Sequence, residues 1–396
     1  MSQSKPYAPK KLNTLHAWVK NRIHSKDPFV VLGKGTRSPH AGQDILSTKN
    51  LKEIHFFDPD DMVIGIQAGM TAADLQSCIN KKKMFLPINP WYPESTIGSV
   101  LACNDFGPSR MNGGGLRDCI IGIEYINGKG ELVKAGGKVV KNVSGYDLSR
   151  MMLGSLGGLG VITSVNFKVN PQPAGTSVLM CTFENDQWVE KIRELHAKIF
   201  PVDWIQAMTS QSGWILGVGF SGNDARRTRI EKELRQIFEG FGQSLDVFDE
   251  NKKVKKTADA PGQNRFSGFL TPILKRFKLG KQYLHLHAVL PTGELLGSLD
   301  VQKFTLQGAQ MVVHPIGGDF HIFLNDETPK AQKEMLTLLK NQLEGSEGKI
   351  SLIKSAPELS INDLNEFAFP REYSLMKAIK QQLDPALVFH APFYNY

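Results

Sequence analysis

Glycine constrains this chain more than any other feature, because residues 98–160 hold 15 of its 37 glycines. Each glycine gives up more backbone freedom on ordering than any other residue, so glycine at this density weakens regular elements. A stretch like this is useful where backbone must pass close to something else. The neighbour can be an extended ligand, or simply other backbone in a turn-rich α+β region. Glycine count alone favours neither.

The rest of the composition narrows the class. At 396 residues and 44.0 kDa, the chain has room for two or three domains with full cores. Hydrophobic residues at 41% and charged residues at 22% are ordinary globular values, which excludes a disordered or fibrous chain. No run approaches the length of a spanning helix, and MSQSKPYAPKK has no apolar stretch behind it to make a secretory signal. Cys78, Cys103, Cys119 and Cys181 are far apart and supply neither a disulfide framework nor an iron–sulfur site. A reducing cytoplasm is the expected compartment.

The net charge of +8 is concentrated in one place. Residues 252–281 carry Lys252, Lys253, Lys255, Lys256, Arg265, Lys275, Arg276, Lys278 and Lys281 against Asp259 alone, and the remainder is neutral. A globally basic nucleic-acid binder is a poor description, and a neutral protein with one basic insertion is a better one. Phe266, Phe269, Leu270, Ile273, Leu274 and Phe277 follow helical spacing within it. Such a cationic, aromatic helix can lie on an anionic membrane surface, here the inner face, or dock a partner subunit. A solvated loop has equal weight.

Periodicity places the elements. Leu12, Leu15, Val19 and Ile23 mark a helix over 10–24, and FVVL (29–32) a buried strand followed by the turn GKGTRS (33–38). Leu51, Ile54, Phe56, Met62, Ile64 and Ile66 suggest short strands around a turn at Pro59 to Asp61. Thr71 caps a helix carrying Leu75, Cys78 and Ile79, with Asp74 in an approximate capping box. IIGIEYI (120–126) and GELVKAGG (130–137) form a hairpin through Asn127-Gly128. NPQPAG (170–175) reads as a linker. Strands then alternate with helices through 176–350: strands at 177–183, 214–220 and 284–291, helices near 186–199, 225–240 and 329–343. A last helix covers 370–384.

GKGTRS is a candidate phosphate cradle. Its two glycines let successive N–H groups converge on an anion, and Lys34, Thr36 and Arg37 add donors. It is neither a dinucleotide fingerprint nor a Walker A loop. Two further blocks follow: Glu94-Ser95-Thr96-Ile97-Gly98-Ser99 leading to Ala102 and Asp105, and LSRMMLGSLGGLGVITSVNFKV (148–169). With Arg117-Asp118, Lys141-Asn142-Val143, Gly145-Tyr146-Asp147 and Gly154 to Ile162 in this order, the chain resembles the FAD-binding subunits of glycolate oxidase. These belong among the vanillyl-alcohol-oxidase or PCMH-type flavoproteins. The likeness covers about residues 28–173 and returns faintly in LHLHAVLP and in KQQLDP near the C-terminus.

The resemblance implies an α+β fold: a PCMH-type two-part FAD-binding domain with an α/β cap domain. Residues 1–173 would form the first, 174–350 the cap with its basic insertion 252–281, and 351–396 a C-terminal segment returning to the FAD domain. Gly33, Lys34, Gly35, Thr36, Arg37 and Ser38 would wrap the FAD pyrophosphate. Ser95, Thr96, Ile97, Gly98 and Ser99 would close over it, with Ala102 and Asp105 beyond. The backbone of Val161 and Ile162 would meet the adenine side or the flavin edge. Some related flavoproteins attach FAD through a histidine in the first loop. Thr36 stands at that position here, so noncovalent FAD is expected. The Asn-Pro-Gly-Arg that usually follows the last helix is replaced by His390-Ala391-Pro392-Phe393.

Oxidising a 2-hydroxy acid also needs a cation for the carboxylate and a base for the hydroxyl proton. His314 and His321, in VVHPIGGDFHIFLN, are the base candidates. In related 2-hydroxy-acid dehydrogenases two histidines at this separation hold a divalent metal, completed by a glutamate beside a histidine some thirty residues on. The corresponding GKISLIKSAPEL (348–359) has no such pair, so no metal is expected. His314 and His321 then read as strand histidines facing a pocket or solvent. His285 and His287 share one face of a strand, which an exposed strand would explain. Arg110, Arg117 and Arg371 are candidate carboxylate clamps, although Arg117-Asp118 can equally be an internal ion pair.

The expected function is the FAD-binding subunit of a glycolate oxidase-like complex, oxidising glycolate or D-lactate beside a second flavin subunit. Electrons would pass to an iron–sulfur subunit, since this chain has no cysteine cluster. The rivals are a self-sufficient FAD-dependent 2-hydroxy-acid dehydrogenase and a flavin-empty scaffold subunit.

Overall fold

The computed structural model describes residues 6–36, 44–107, 111, 114–138, 148–198, 201–210, 213–240, 245–249, 283–291, 308–325, 328–343, 349–354 and 373–390. The basic segment 252–281, Arg37, Ser38, Arg110, Arg371 and the Lys141 to Asp147 motif lie outside the described residues. The chain divides into two compact units. One comprises Met1–Gly107, Gly114–Gln172 and Phe369–Tyr396, and the other Pro108–Gly113 and Pro173–Ala368.

The first unit begins with α1 (Leu12–Ser25), which buries Leu15 and Val19 one turn apart, as its spacing predicts. Strand β1 (Phe29–Leu32) pairs parallel with β2 (Asp44–Ser47) on one edge and with the C-terminal β18 (Phe389–His390) on the other. His390, the first residue of the divergent C-terminal motif, is therefore opposite Val30, three residues before the glycine turn begins at Gly33.

The five-stranded antiparallel sheet of this unit runs β3-β4-β8-β6-β7. Its strands are β3 (Ile54–Asp58), β4 (Val63–Gln67), β6 (Ile120–Ile126), β7 (Leu132–Gly136) and β8 (Val161–Lys168). β5 (Met84–Phe85) and β9 (Asn170–Pro171) make a separate ladder, so part of the expected linker is strand. Helices α2 (Ala72–Asn80), α3 (Ile97–Ala102), α4 (Leu116–Cys119) and α5 (Leu148–Met151) complete the unit. Thr71 caps α2 by accepting the Asp74 N–H at 3.0 Å.

The β6–β7 hairpin forms, but not through a two-residue Asn-Gly turn. Its loop runs from Asn127 to Glu131, and the Asn127 side chain accepts the N–H groups of Lys129 and Glu131 at 3.0 and 2.9 Å. Gly130 supplies the left-handed residue at φ 74°. Gly128 has another task. Its N–H donates to Leu383 O at 2.9 Å, and a Cβ there would lie 2.3 Å from Asp384 Cα.

The second unit carries one eight-stranded sheet in the order β13-β10-β12-β11-β15-β16-β14-β17, with every pairing antiparallel. Its strands are β10 (Gly175–Phe183), β11 (Trp204–Ser210), β12 (Gly213–Gly222), β13 (Leu245–Asp249), β14 (Leu284–Val289), β15 (Gln310–His314), β16 (Asp319–Leu324) and β17 (Lys349–Lys354). α6 (Trp188–Ala197), α7 (Asp224–Phe238) and α8 (Pro329–Leu343) match the three helices read from periodicity. Because β17 pairs with β14, this sheet continues past the boundary expected at residue 350. Trp204 lies over Gly219 on the neighbouring strand, where a Cβ would fall 2.1 Å from the indole. The last helix, α9 (Tyr373–Leu383), belongs to the first unit.

Candidate functional site: a flavin cradle and a histidine–aspartate cluster

The glycine turn after β1 lies against the loop that opens α3. Gly33 is buried against Thr96, and a Cβ on it would come within 1.9 Å of Thr96 Oγ1. Thr36 Oγ1 and Ser95 Oγ are 2.8 Å apart, which ties the two loops together by their hydroxyls. Gly35 has φ 73° with open space around it. Among the described residues, the N–H groups of Lys34, Gly35 and Thr36 form no intramolecular hydrogen bond. A short run of uncommitted N–H groups on a left-handed turn is the backbone geometry that cradles a phosphate oxygen.

The opposing loop contributes differently from expectation. The N–H groups of Ile97 and Gly98 are spent on Met70 O and Ala68 O, both at 2.8 Å, and that of Ser99 on Thr96 Oγ1 at 3.4 Å. Their backbone donors therefore fix the loop, and its offering to a ligand is shape and hydroxyls. Asp105, also expected at the cofactor, turns its carboxylate to Trp91 N–H at 3.2 Å, and Ala102 ends α3. Val161 and Ile162 pair with Ile126 and Tyr125 of β6. Ladder pairing with β4 stops at Ser164, so the other edge of Val161 and Ile162 has no strand among the described residues. Arg117 is exposed and Asp118 accepts Gly115 N–H at 2.8 Å, so of the two readings of Arg117 the internal ion pair with Asp118 does not form among the described residues.

The second unit gathers four histidines around one carboxylate. β14, β15 and β16 are neighbours, with His287 opposite His321 and His314 opposite Asp319. Asp319 and His321 alternate on β16 and so share a face. Asp319 Oδ2 lies 2.6 Å from His314 Nδ1, 3.5 Å from His321 Nε2 and 3.7 Å from His287 Nε2. His285 Nε2 reaches His321 Nδ1 at 3.0 Å, and Gln206 Nε2 reaches His314 Nε2 at 2.7 Å. Sequence reasoning found His314 and His321 but gave Asp319 no role. The period-two spacing of Asp319 and His321 was the available signal.

Burial excludes the solvent-facing readings of His285, His314 and His321 and leaves the pocket-facing reading of His314 and His321. His285, His314 and His321 are 0%, 5% and 4% exposed, so none of the three sits on an open strand face. Burial pushes the Asp319 carboxyl up, but the charge of His314 and hydrogen bonds from His287, His314 and His321 outweigh it. The net result holds Asp319 well below the usual carboxylate range. Burial, then the neighbouring His287, drives His321 well below an ordinary imidazole against the pull of Asp319. The cluster is an ionised carboxylate beside a neutral imidazole.

Residues 7–136 match the family model described as FAD binding domain. Glycolate oxidase subunit GlcE of Escherichia coli is 33% identical over 190 residues, covering 46% of this chain and 54% of that one. Glycolate oxidase subunit GlcD of Bacillus subtilis is 32% identical over 182 residues, 44% of this chain and 39% of the relative. The chain thus spans about half or less of these relatives' length. An uncharacterized FAD-linked oxidoreductase of Mycobacterium tuberculosis aligns over 89% of this chain and 81% of its own, at 22% identity. Among solved structures, an alkyldihydroxyacetonephosphate synthase superposes with TM-score 0.68 at 16% identity, covering 98% of this chain and 77% of that one. The chain has the α+β, PCMH-type FAD-binding fold, and FAD is its cofactor.

Proposed function

We propose that this chain is an FAD-dependent oxidoreductase acting on a 2-hydroxy acid, glycolate or D-lactate, as the flavin-binding subunit of a larger complex. The observation that supports it is the pair of loops at Gly33–Thr36 and Ser95–Thr96, joined hydroxyl to hydroxyl inside the matched FAD-binding segment. Similarity to proteins named as glycolate oxidase subunits and D-lactate dehydrogenases supports the substrate class.

The residues of this chain divide the work as follows. N–H groups of Lys34, Gly35 and Thr36 would hold the pyrophosphate, and Ser95 orients the Thr36 hydroxyl. Since threonine offers no imidazole for a covalent link, the cofactor is held noncovalently. The chemistry a bound FAD would supply is acceptance of a hydride from the substrate carbon. His314 is a poor base for the hydroxyl proton, because both its ring nitrogens are committed, to Asp319 and to Gln206. A second flavin subunit and an iron–sulfur subunit would take part in oxidation and onward transfer. The basic segment 252–281 would meet an anionic inner-membrane surface.

The test is a visible spectrum of the purified chain, followed by acid release of the chromophore and anaerobic addition of glycolate or D-lactate. A flavin band, FAD in the supernatant and bleaching that reaches full rate only with the partner subunits would support the proposal. A colourless chain that takes up no FAD would sink it. Full-rate glycolate oxidation by the isolated chain would overturn the division of labour.

A further inference from the structure

We propose that Lys380 is a positioning residue of the flavin cradle: its ammonium group fixes the glycine loop 154–160 beside β1, and so presets the turn at Gly33–Thr36 for the FAD pyrophosphate. This role rests on the reading of that turn as the cofactor cradle. The strand leading into the turn is flanked on both sides. On the β2 side, Leu32 O accepts Thr48 N–H at 2.9 Å and Gly33 O accepts the Ser47 hydroxyl at 2.5 Å. On the other side, the β18 ladder stops at Val30 among the described residues.

The glycine loop continues that flank. A Cβ on Gly157 would lie 3.4 Å from Val31 Cβ and 3.5 Å from Val31 O. The same loop also reaches the helix behind the opposing wall of the cradle. Gly154 N–H donates to Leu101 O at 3.1 Å and Leu156 N–H to Ala102 O at 2.9 Å, both at the end of α3. The place of this loop therefore sets the separation of the two cofactor loops.

The loop needs holding from outside. Leu156 has φ 51°, between Gly154 at 75° and Gly157 at 80°. A leucine rarely adopts this left-handed conformation, and it persists only where the surroundings enforce it. Lys380, on α9 and 2% exposed, supplies the restraint. Its Nζ donates to Gly158 O and to Phe389 O, both at 2.6 Å, so one group spans the two segments that flank β1. Asp384 Oδ2, 2.5 Å from the same Nζ, neutralises it. Two apolar side chains would fill this space without the cost of burying an ion pair. They could donate to neither carbonyl.

Flavin-loaded protein is diluted, and FAD release is followed by its rising fluorescence at a temperature where circular dichroism shows every variant folded. Lys380→Met should release FAD roughly tenfold faster than wild type. Lys380→Met/Asp384→Asn strands no charge and keeps an acceptor for the Val388 and Phe389 N–H groups. It should recover stability in urea yet release FAD as fast as the single variant. Ile79→Ala truncates a buried core residue on α2 and lowers stability, but should leave release within about twofold of wild type. A merely structural lysine would make release follow the urea midpoints across the set. That outcome, or wild-type release from the double variant, would overturn the role, and the double variant decides it even where the single one does not fold. Wild-type protein carrying no flavin would overturn the flavin reading as well, whereas flavin-loaded wild type confines a failure to Lys380.

Discussion

Lys380 and Asp384 form an ion pair one turn apart at the end of α9, with Nζ 2.5 Å from Oδ2. The two residues are 2% and 0% exposed. The same Nζ donates to Gly158 O and Phe389 O, both at 2.6 Å, so its three N–H bonds are spent. Asp384 in turn accepts Val388 N–H at 3.2 Å and Phe389 N–H at 2.9 Å. One buried pair thereby ties the glycine loop preceding β8 to β18, the strand beside β1.

Breaking this pair leaves a buried charge without its partner, which costs far more than a surface ion pair is worth. Asp384→Ala should destabilise the chain by about 3–5 kcal/mol. Lys380→Met should cost a comparable amount, softened by the two N–H groups that still serve Asp384. The double variant Lys380→Met/Asp384→Ala should lose less than the sum, because neither charge is then stranded. Urea unfolding of the four proteins measures the coupling.

Gly128 is where α9 ends against the β6–β7 hairpin. Gly128→Ala would drive a methyl to 2.3 Å from Asp384 Cα and 2.4 Å from Leu383 O, both backbone atoms that cannot rotate away. The expected cost is roughly 1–3 kcal/mol, typical of overpacking. Gly130→Ala tests the alternative, since its φ of 74° carries strain but its neighbour is the flexible Lys20 side chain. Comparing the two melting temperatures shows whether packing or backbone strain dominates.

How far this was legible follows from the range of each interaction. Local signals read well: the Thr71 cap, the Leu15–Val19 stripe and the FVVL strand all form where spacing places them. The Asn127-Gly128 pair marked a hairpin correctly, yet Gly128 answers to Leu383 and Asp384, far away in sequence. β11 gave little signal because its first six residues are all buried, which erases the polar–apolar alternation of a half-exposed strand. The histidine cluster was half legible. His314 and His321 stand out by type, whereas Asp319 gains meaning only when β15 and β14 flank β16.

Gly33 is a position where the packing of the two cofactor loops leaves no room for a side chain. Gly33→Ala places its Cβ 1.9 Å from Thr96 Oγ1 and 2.9 Å from Thr96 Cβ. Thr96 resists displacement because its hydroxyl caps α3. The loops should therefore part, breaking the contact between Thr36 and Ser95. We expect the purified variant to retain less than a tenth of the wild-type FAD while its far-ultraviolet circular dichroism is preserved. Thr36→Val, which removes only the hydroxyl contact, should lose FAD more mildly. Flavin absorbance per chain after gel filtration reads both.

The four free thiols should divide by burial. Burial, reinforced by the charge of Asp118 and partly offset by Lys168, raises Cys119 to about 11. Burial likewise raises Cys181 to about 11, against a backbone hydrogen bond from Thr182. At pH 8 their thiolate fraction is on the order of one in a thousand, so iodoacetamide should spare both while alkylating the partly exposed Cys78 and Cys103. The same shifts set an alkaline limit. An unfolded thiol releases its proton near 9.0 and these two only near 11, so the unfolded state holds fewer protons in that window. Stability therefore falls as pH rises through it, by at most about 1.4 kcal/mol per pH unit for each thiol. Cys119→Ala and Cys181→Ala should each flatten the slope of stability against pH between 9 and 11 in urea unfolding. Peptide mapping that finds Cys119 or Cys181 alkylated in folded protein as fast as Cys78 would show that burial does not protect them.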